Sequence, residues 1–232
     1  AYEELQTLIA AVSDAIDGLA LPAYSSLGSE NAFDARGATL SSSSGATVTG
    51  LAVDVTSDAI NGDYEIEVLQ LAQAMKVSAA TGSATNAIGA AGVLSLGVEG
   101  GETVNITVTA TTTLSDLTKA INARSDTTGV QASLIRLDSL TVQLVLSATD
   151  TNQTILLSSV SGDDIGLAIG LTDDTGAFTT VLRQAQPSII TVDGSTVTRD
   201  TNELTDVIDG VSLSISGLAD GPTTLTISTD SS

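Results

Sequence analysis

"TLSDLTKAINARSDTTGVQASLI", residues 113–135, passes from a spacing of three and four into a spacing of two, and the fold class turns on that change. Leu114, Leu117 and Ile121 fall on one side of a helix. Thr113 stands where an N-cap belongs, and Asp116 follows three residues later as the acid of a capping box. From 129 to 137, "GVQASLIRL" alternates as a strand does. The segment predicts a two-turn amphipathic helix laid on a sheet.

Strand patterns surround it. "GVLSLGVEGGETVNITVTA" reads as a hairpin turning at Glu99-Gly100-Gly101, with Val104, Ile106 and Val108 on its buried face, and further strands follow at 141–148 and 153–160. "SGDDIGLAIGL" suggests another short turn of helix, and 187–199 a hairpin about Asp193-Gly194. Toward the N-terminus, a weak strand is expected from Phe33 to Leu40. Leu51, Val53 and Val55 then alternate, as do Tyr64, Ile66 and Val68, and Asn61-Gly62 between these two runs signals a hairpin. A second short helix is expected after a cap at Thr201 or Asn202, carrying Leu204, Val207 and Ile208 and stopped by Gly210.

The opening segment, by contrast, is helical in spacing. Tyr2, Leu5, Leu8, Ile9, Val12, Ile16 and Leu19 make a stripe that Pro22 ends, and no second long segment of matching periodicity covers it. Its cover is therefore expected either in another copy of the chain, making the stripe an oligomer interface, or in sequence beyond Ser232. Because the pattern is already under way at Ala1, the chain is expected to be a fragment.

The expected fold is α+β, mainly β: an N-terminal amphipathic helix, then two β-rich head domains with short helices packed on antiparallel sheets. A Gly/Ala/Ser stretch at 79–92 marks a border. The expected division is 1–49 for helix and connector, 50–79 with 179–232 for a split first head domain, and 80–178 for a second inserted into it.

Composition narrows the function. Seven Lys and Arg face 28 Asp and Glu, a net charge of −21, so nucleic acid and anionic membrane are poor partners. With no Cys and no His, disulfides, thiolate or imidazole metal sites and a Ser–His–Asp triad are unavailable. Zero Cys fits either a reducing compartment or passage through an export channel unfolded. The adjacent pairs Glu3-Glu4, Asp163-Asp164 and Asp173-Asp174 point apart if extended, so they give no shared acid–base site. "LTDDTG" offers oxygens to calcium but lacks the twelve-residue loop. Arg36, Arg124, Arg136, Arg183 and Arg199 are expected to pair locally with acids. No catalytic, cofactor-binding or metal-ligating residue is assigned, no cofactor is expected, and the protein is not expected to be an enzyme.

Three landmarks in order resemble flagellar filament-capping proteins, the hook-associated protein 2 family. The first is Gly62, Tyr64, Ile66 and Val68 running into Leu71 to Ala74. The second is Ile121-Asn122, a loop, then Gly129-Val130-Gln131-Ala132-Ser133, a motif also found in flagellins. The third is Val192-Asp193-Gly194, with Thr198-Arg199, Asn202 and Gly210-Val211 after it. Phe33 and Arg36 echo the family's Phe-x-x-Arg. The resemblance implies a secreted extracellular protein, exported by the flagellar apparatus, that forms a ring homo-oligomer at the filament tip and helps flagellin fold into place. Its implied partners are itself, flagellin, hook-associated proteins and an export chaperone before secretion; its opening helix would belong to a helical leg. Another axial protein, flagellin or a hook–filament junction subunit, and a surface adhesion or carbohydrate-binding β-module remain alternatives.

Overall fold

The computed structural model describes residues 35–43, 45, 47–218 and 221–229. The opening stripe and Phe33 lie outside them. Among the described residues, fifteen strands and three short helices form two compact units, each described by itself.

The first unit contains the described residues up to Gln70, Ile189–Val197 and the described residues from Asn202 onward. Its larger sheet runs in the order β1 (Arg36–Ser42), β15 (Thr223–Thr229), β3 (Gly62–Gln70), β11 (Ser188–Val192), β12 (Ser195–Arg199). A three-stranded sheet joins β13 (Glu203–Ile208), β14 (Val211–Ile215) and β2 (Leu51–Val55). Period-two burial is regular: Leu225 and Ile227 are buried between less buried Thr224, Thr226 and Ser228, and Val211, Leu213 and Ile215 alternate with less buried serines. β-Branched residues suit such half-buried pleats, so a core forms without aromatic bulk.

Two sequence expectations fail here. Residues 203–208 are not a helix but strand β13, paired antiparallel with β14 through Glu203↔Ser214, Leu204↔Leu213 and Ile208↔Val211. A spacing of four puts Leu204 and Ile208 on one face of a strand as well as of a helix, and pairing with β14 decides between them. Asn61-Gly62 does not turn a hairpin either. Neither residue has positive φ, and β2 pairs with β14 whereas β3 pairs with β15 and β11. The expected turn at Asp193-Gly194 does form, with φ of 48° and 76°, the positive values a two-residue hairpin turn uses.

The second unit comprises Leu71–Ser188 with Thr198–Thr201. One sheet has the order β10 (Val181–Arg183), β4 (Lys76–Gly82), β8 (Val142–Ala148), β7 (Val130–Arg136); the other is β6 (Val104–Val108), β5 (Gly92–Val98), β9 (Ile155–Gly162). β4 and β10 belong to one sheet, so the compact units divide at 70/71 and 188/189 rather than at the expected 79/80 and 178/179. The chain enters and leaves this unit side by side: Gln73 and Gln186 exchange backbone hydrogen bonds of 2.9 and 3.1 Å. The Gln186 side chain also donates to Leu71 O at 2.9 Å.

Helix α1 (Leu114–Asn122) meets β6 and β7, while α2 (Ser125–Thr128) and α3 (Ile165–Ala168) are single turns. Leu114, Leu117 and Ile121 enter a core with Val130, Leu144, Leu146 and Ile155. Burying each such side chain contributes ~1.5–3 kcal/mol, which outweighs the poor intrinsic stability of a helix this short.

Candidate interaction surfaces

The Ile-Asn element is built residue by residue. Thr113 Oγ1 accepts from Asp116 N at 3.1 Å, and Asp116 Oδ2 accepts from the Thr113 hydroxyl at 2.7 Å and from Thr113 N at 3.4 Å. These bonds hold the Asp116 carboxyl below its usual range, the Thr113 hydroxyl being the largest cause and Lys119, 3.9 Å away, the least. At the other end of the helix Ile121 is buried while Asn122 reaches sideways. Its Nδ2 donates to Ala132 O at 2.9 Å and its Oδ1 accepts from Ala132 N at 2.7 Å. β7 is an edge strand, so Ala132 would otherwise present that N–H and C=O to solvent; the amide supplies what a neighbouring strand would. Gly129, at φ 65°, then ends α2 and starts β7, its N–H donating to Ser125 O at 2.8 Å.

Several acids are spent on local structure. Asp138 Oδ1 accepts from Leu140 N and Thr141 N, both at 2.7 Å, and these bonds lower its pKa. Asp173 is lowered chiefly by the Thr175 hydroxyl, then by the backbone of Ala177 and Thr175. Asp163 Oδ2 accepts from Ala91 N at 2.9 Å, and Asp164 caps α3 through Leu167 N at 3.1 Å. Among the described residues no three acids converge to hold a metal ion. Lys119 pairs with Asp116, but the expected pairing of Arg124, Arg136 and Arg183 with acids does not form among the described residues.

The described residues also include shallow clefts and an apolar tip. A cleft of about 250 Å³ in the second unit is lined by small residues, Ala80 to Ser83 and Asn86 to Ile88, with Leu114 and Ile169. One of about 280 Å³ in the first unit lies between Ile60, Tyr64, Val192 and Ile208. Neither gathers an acid and a base. At the turn between β7 and β8, Ile135, Leu137 and Leu140 are exposed, Leu140 to 80%. The two flanking strands were readable in sequence; the outward display of this tip was not, because apolar residues at a strand end look the same whether covered or bare. The interface residues expected from sequence, Tyr2, Leu5, Leu8, Ile9, Val12, Ile16 and Leu19, all lie outside the described residues.

A family model described as the flagellar hook-associated protein 2 N-terminus matches residues 1–75, and its C-terminal counterpart matches 185–232. Between them, a flagellin hook IN motif model matches 93–150, the region containing Ile121-Asn122. B-type flagellar hook-associated protein 2 of Pseudomonas aeruginosa PAO1 is 32% identical over 196 residues, covering 78% of this chain and 41% of its own. Flagellar hook-associated protein 2 of Aeromonas caviae is 27% identical over 224 residues, covering 94% and 44%. The chain thus spans less than half the length of these curated relatives. Among solved structures, the D2-D3 domains of the flagellar cap protein FliD from Escherichia coli align with TM-score 0.73 at 25% identity, covering 84% of this chain and 99% of theirs. FliD (HAP2) from Pseudomonas aeruginosa PAO1 aligns with TM-score 0.62 at 31% identity, covering 77% and 84%. With both ends of the chain matched by models of one family, and its β-rich body matched in fold and sequence by solved members, the chain belongs to the flagellar hook-associated protein 2 family.

Proposed function

We propose that this chain forms the head region of a structural cap at the distal end of the bacterial flagellar filament, where a ring of copies promotes flagellin folding and polymerisation. The observation that carries the reading is the order of the three matched segments along one chain, together with the fold likeness to a cap protein's D2-D3 domains. The two compact units would be the head modules, the second inserted into the first, and the protein would act by shape and contact rather than by covalent chemistry. Its place is outside the cell, reached through the flagellar export apparatus with an export chaperone before secretion; flagellin and the other hook-associated proteins are its partners. The stripe from Tyr2 to Leu19 would join copies through a helical leg.

The test is complementation. The full-length protein containing this chain, expressed in a cap-deficient non-motile strain, is expected to restore swimming and filament growth, and deletion of residues 71–188 to abolish both. Restored export of unpolymerised flagellin monomers without filaments would overturn the reading.

A further inference from the structure

The chain's few cations are not spread evenly over the fold. Strands β4, β7, β8 and β10 of the second unit contain no Asp or Glu, yet they hold Lys76, Arg136 and Arg183 out of only seven Lys and Arg in the chain. Lys76 and Arg183 are Cα partners across β4 and β10, where the register shifts after the Val77–Val181 pair, so two like charges lie close together at this edge of the sheet. Such a pair is repulsive, and neither residue has an ion pair among the described residues. Their neighbours along the row, Ser147 and then Gln131, are uncharged. β10 is an edge strand with all three residues exposed, so Arg183 is open to a partner, and Lys76 beside it is half-buried.

The first unit carries the complement. Asp63, Glu65 and Glu67 alternate along β3 on the face opposite buried Ile66 and Val68, giving carboxylates every ~6.5–7 Å. Their cross-strand partners, Thr226, Thr224 and Thr191, are uncharged, so nothing in the neighbouring strands neutralises the stripe.

We propose that the Lys76–Arg183 pair of one copy docks on the Asp63–Glu65–Glu67 stripe of a second copy of this chain. The contact joins two different patches of identical subunits, so it is head-to-tail and repeats around a ring. Arginine forks onto carboxylates in two-bond geometry, which gives register as well as attraction. In a chain of net charge −21, most surfaces of two copies repel; this pairing is one of opposite sign. The inference rests on the ring-forming cap reading and names the contact within it.

Charge reversal in trans tests it, with sedimentation velocity on the 232-residue chain. Wild type is expected to associate at low salt and to weaken in about 1 M salt, where the Debye length falls to ~3 Å. K76E/R183E and E65K/E67K alone are each expected to lose association by about tenfold or more, and a one-to-one mixture of the two to regain it. The milder K76Q/R183Q, checked for an unchanged melting curve, separates lost attraction from lost folding and is expected to weaken association less than the reversal. Association of K76E/R183E as tight as wild type, a mixture no better than its parts, or a wild type monomeric at every salt concentration would overturn the contact. The two failures are distinguishable: swimming restored by the full-length protein alongside unaltered association of K76E/R183E removes this contact and leaves the cap standing, whereas no restored swimming removes the cap reading itself.

Discussion

Asp138 shows how the chain's acidity is put to use at single residues. Its carboxylate accepts two backbone N–H bonds in the turn between β7 and β8, and those bonds, Leu140 N–H first and Thr141 N–H next, favour the charged form. A carboxylate whose pKa is lower in the folded than in the unfolded chain adds stability above the unfolded value, and loses it as pH falls through the folded one. Asp116 and Asp173 are lowered in the same direction, so stability is expected to decline below the ordinary aspartate value of 3.8. Asp138→Asn keeps an oxygen acceptor but removes the charge. Its melting temperature is expected to lie below wild type at neutral pH, with the gap closing as pH drops under 3.8. Thermal melts across pH 2.5–7 check this, and a gap that stays constant would mean the charge contributes nothing.

At the scale of elements, α1 and β13 show what the sequence discloses and what it hides. Leu114 to Leu117 is a step of three, which no strand face accommodates, so the helix was legible, as were its capping box and the strand that follows. Leu204 to Ile208 is a step of four, common to both structures, and the cap-like residues before it tipped the reading toward a helix that pairing with β14 replaces. Asn61-Gly62 misled for a related reason: a turn dipeptide permits a tight turn but does not force one, and here Gly62 opens β3 instead. Sheet partners lie far apart in sequence, β1 with β15 and β2 with β14, and local pattern carries no record of them. The amide clamp of Asn122 on Ala132 was likewise hidden, though Asn122 itself stood in the motif that gave the family resemblance. Because Leu117 is 1% exposed in the core beneath α1, Leu117→Ala is expected to cost ~2–5 kcal/mol. Urea unfolding measures it; a loss under ~1 kcal/mol would place the helix outside the core.

For the whole molecule, the remaining sequence expectation concerns the stripe from Tyr2 to Leu19. If that stripe joins copies rather than filling a β-domain core, Leu8→Asp with Val12→Asp leaves the melting transition of the two β-rich units in place while reducing the oligomer seen by mass photometry. Unfolding of those units together with the loss of oligomer would assign the stripe to their interior instead. The adjacency of Gln73 and Gln186 has a consequence of another kind. Since Gln70 and Ile189 are themselves Cα partners in the first unit, everything between them hangs from two strands that already lie beside each other. Apart from Thr198–Thr201, the second unit is a single insertion of a hundred-odd residues between these paired strands, so it can be lengthened, shortened or exchanged while the host sheet keeps its register.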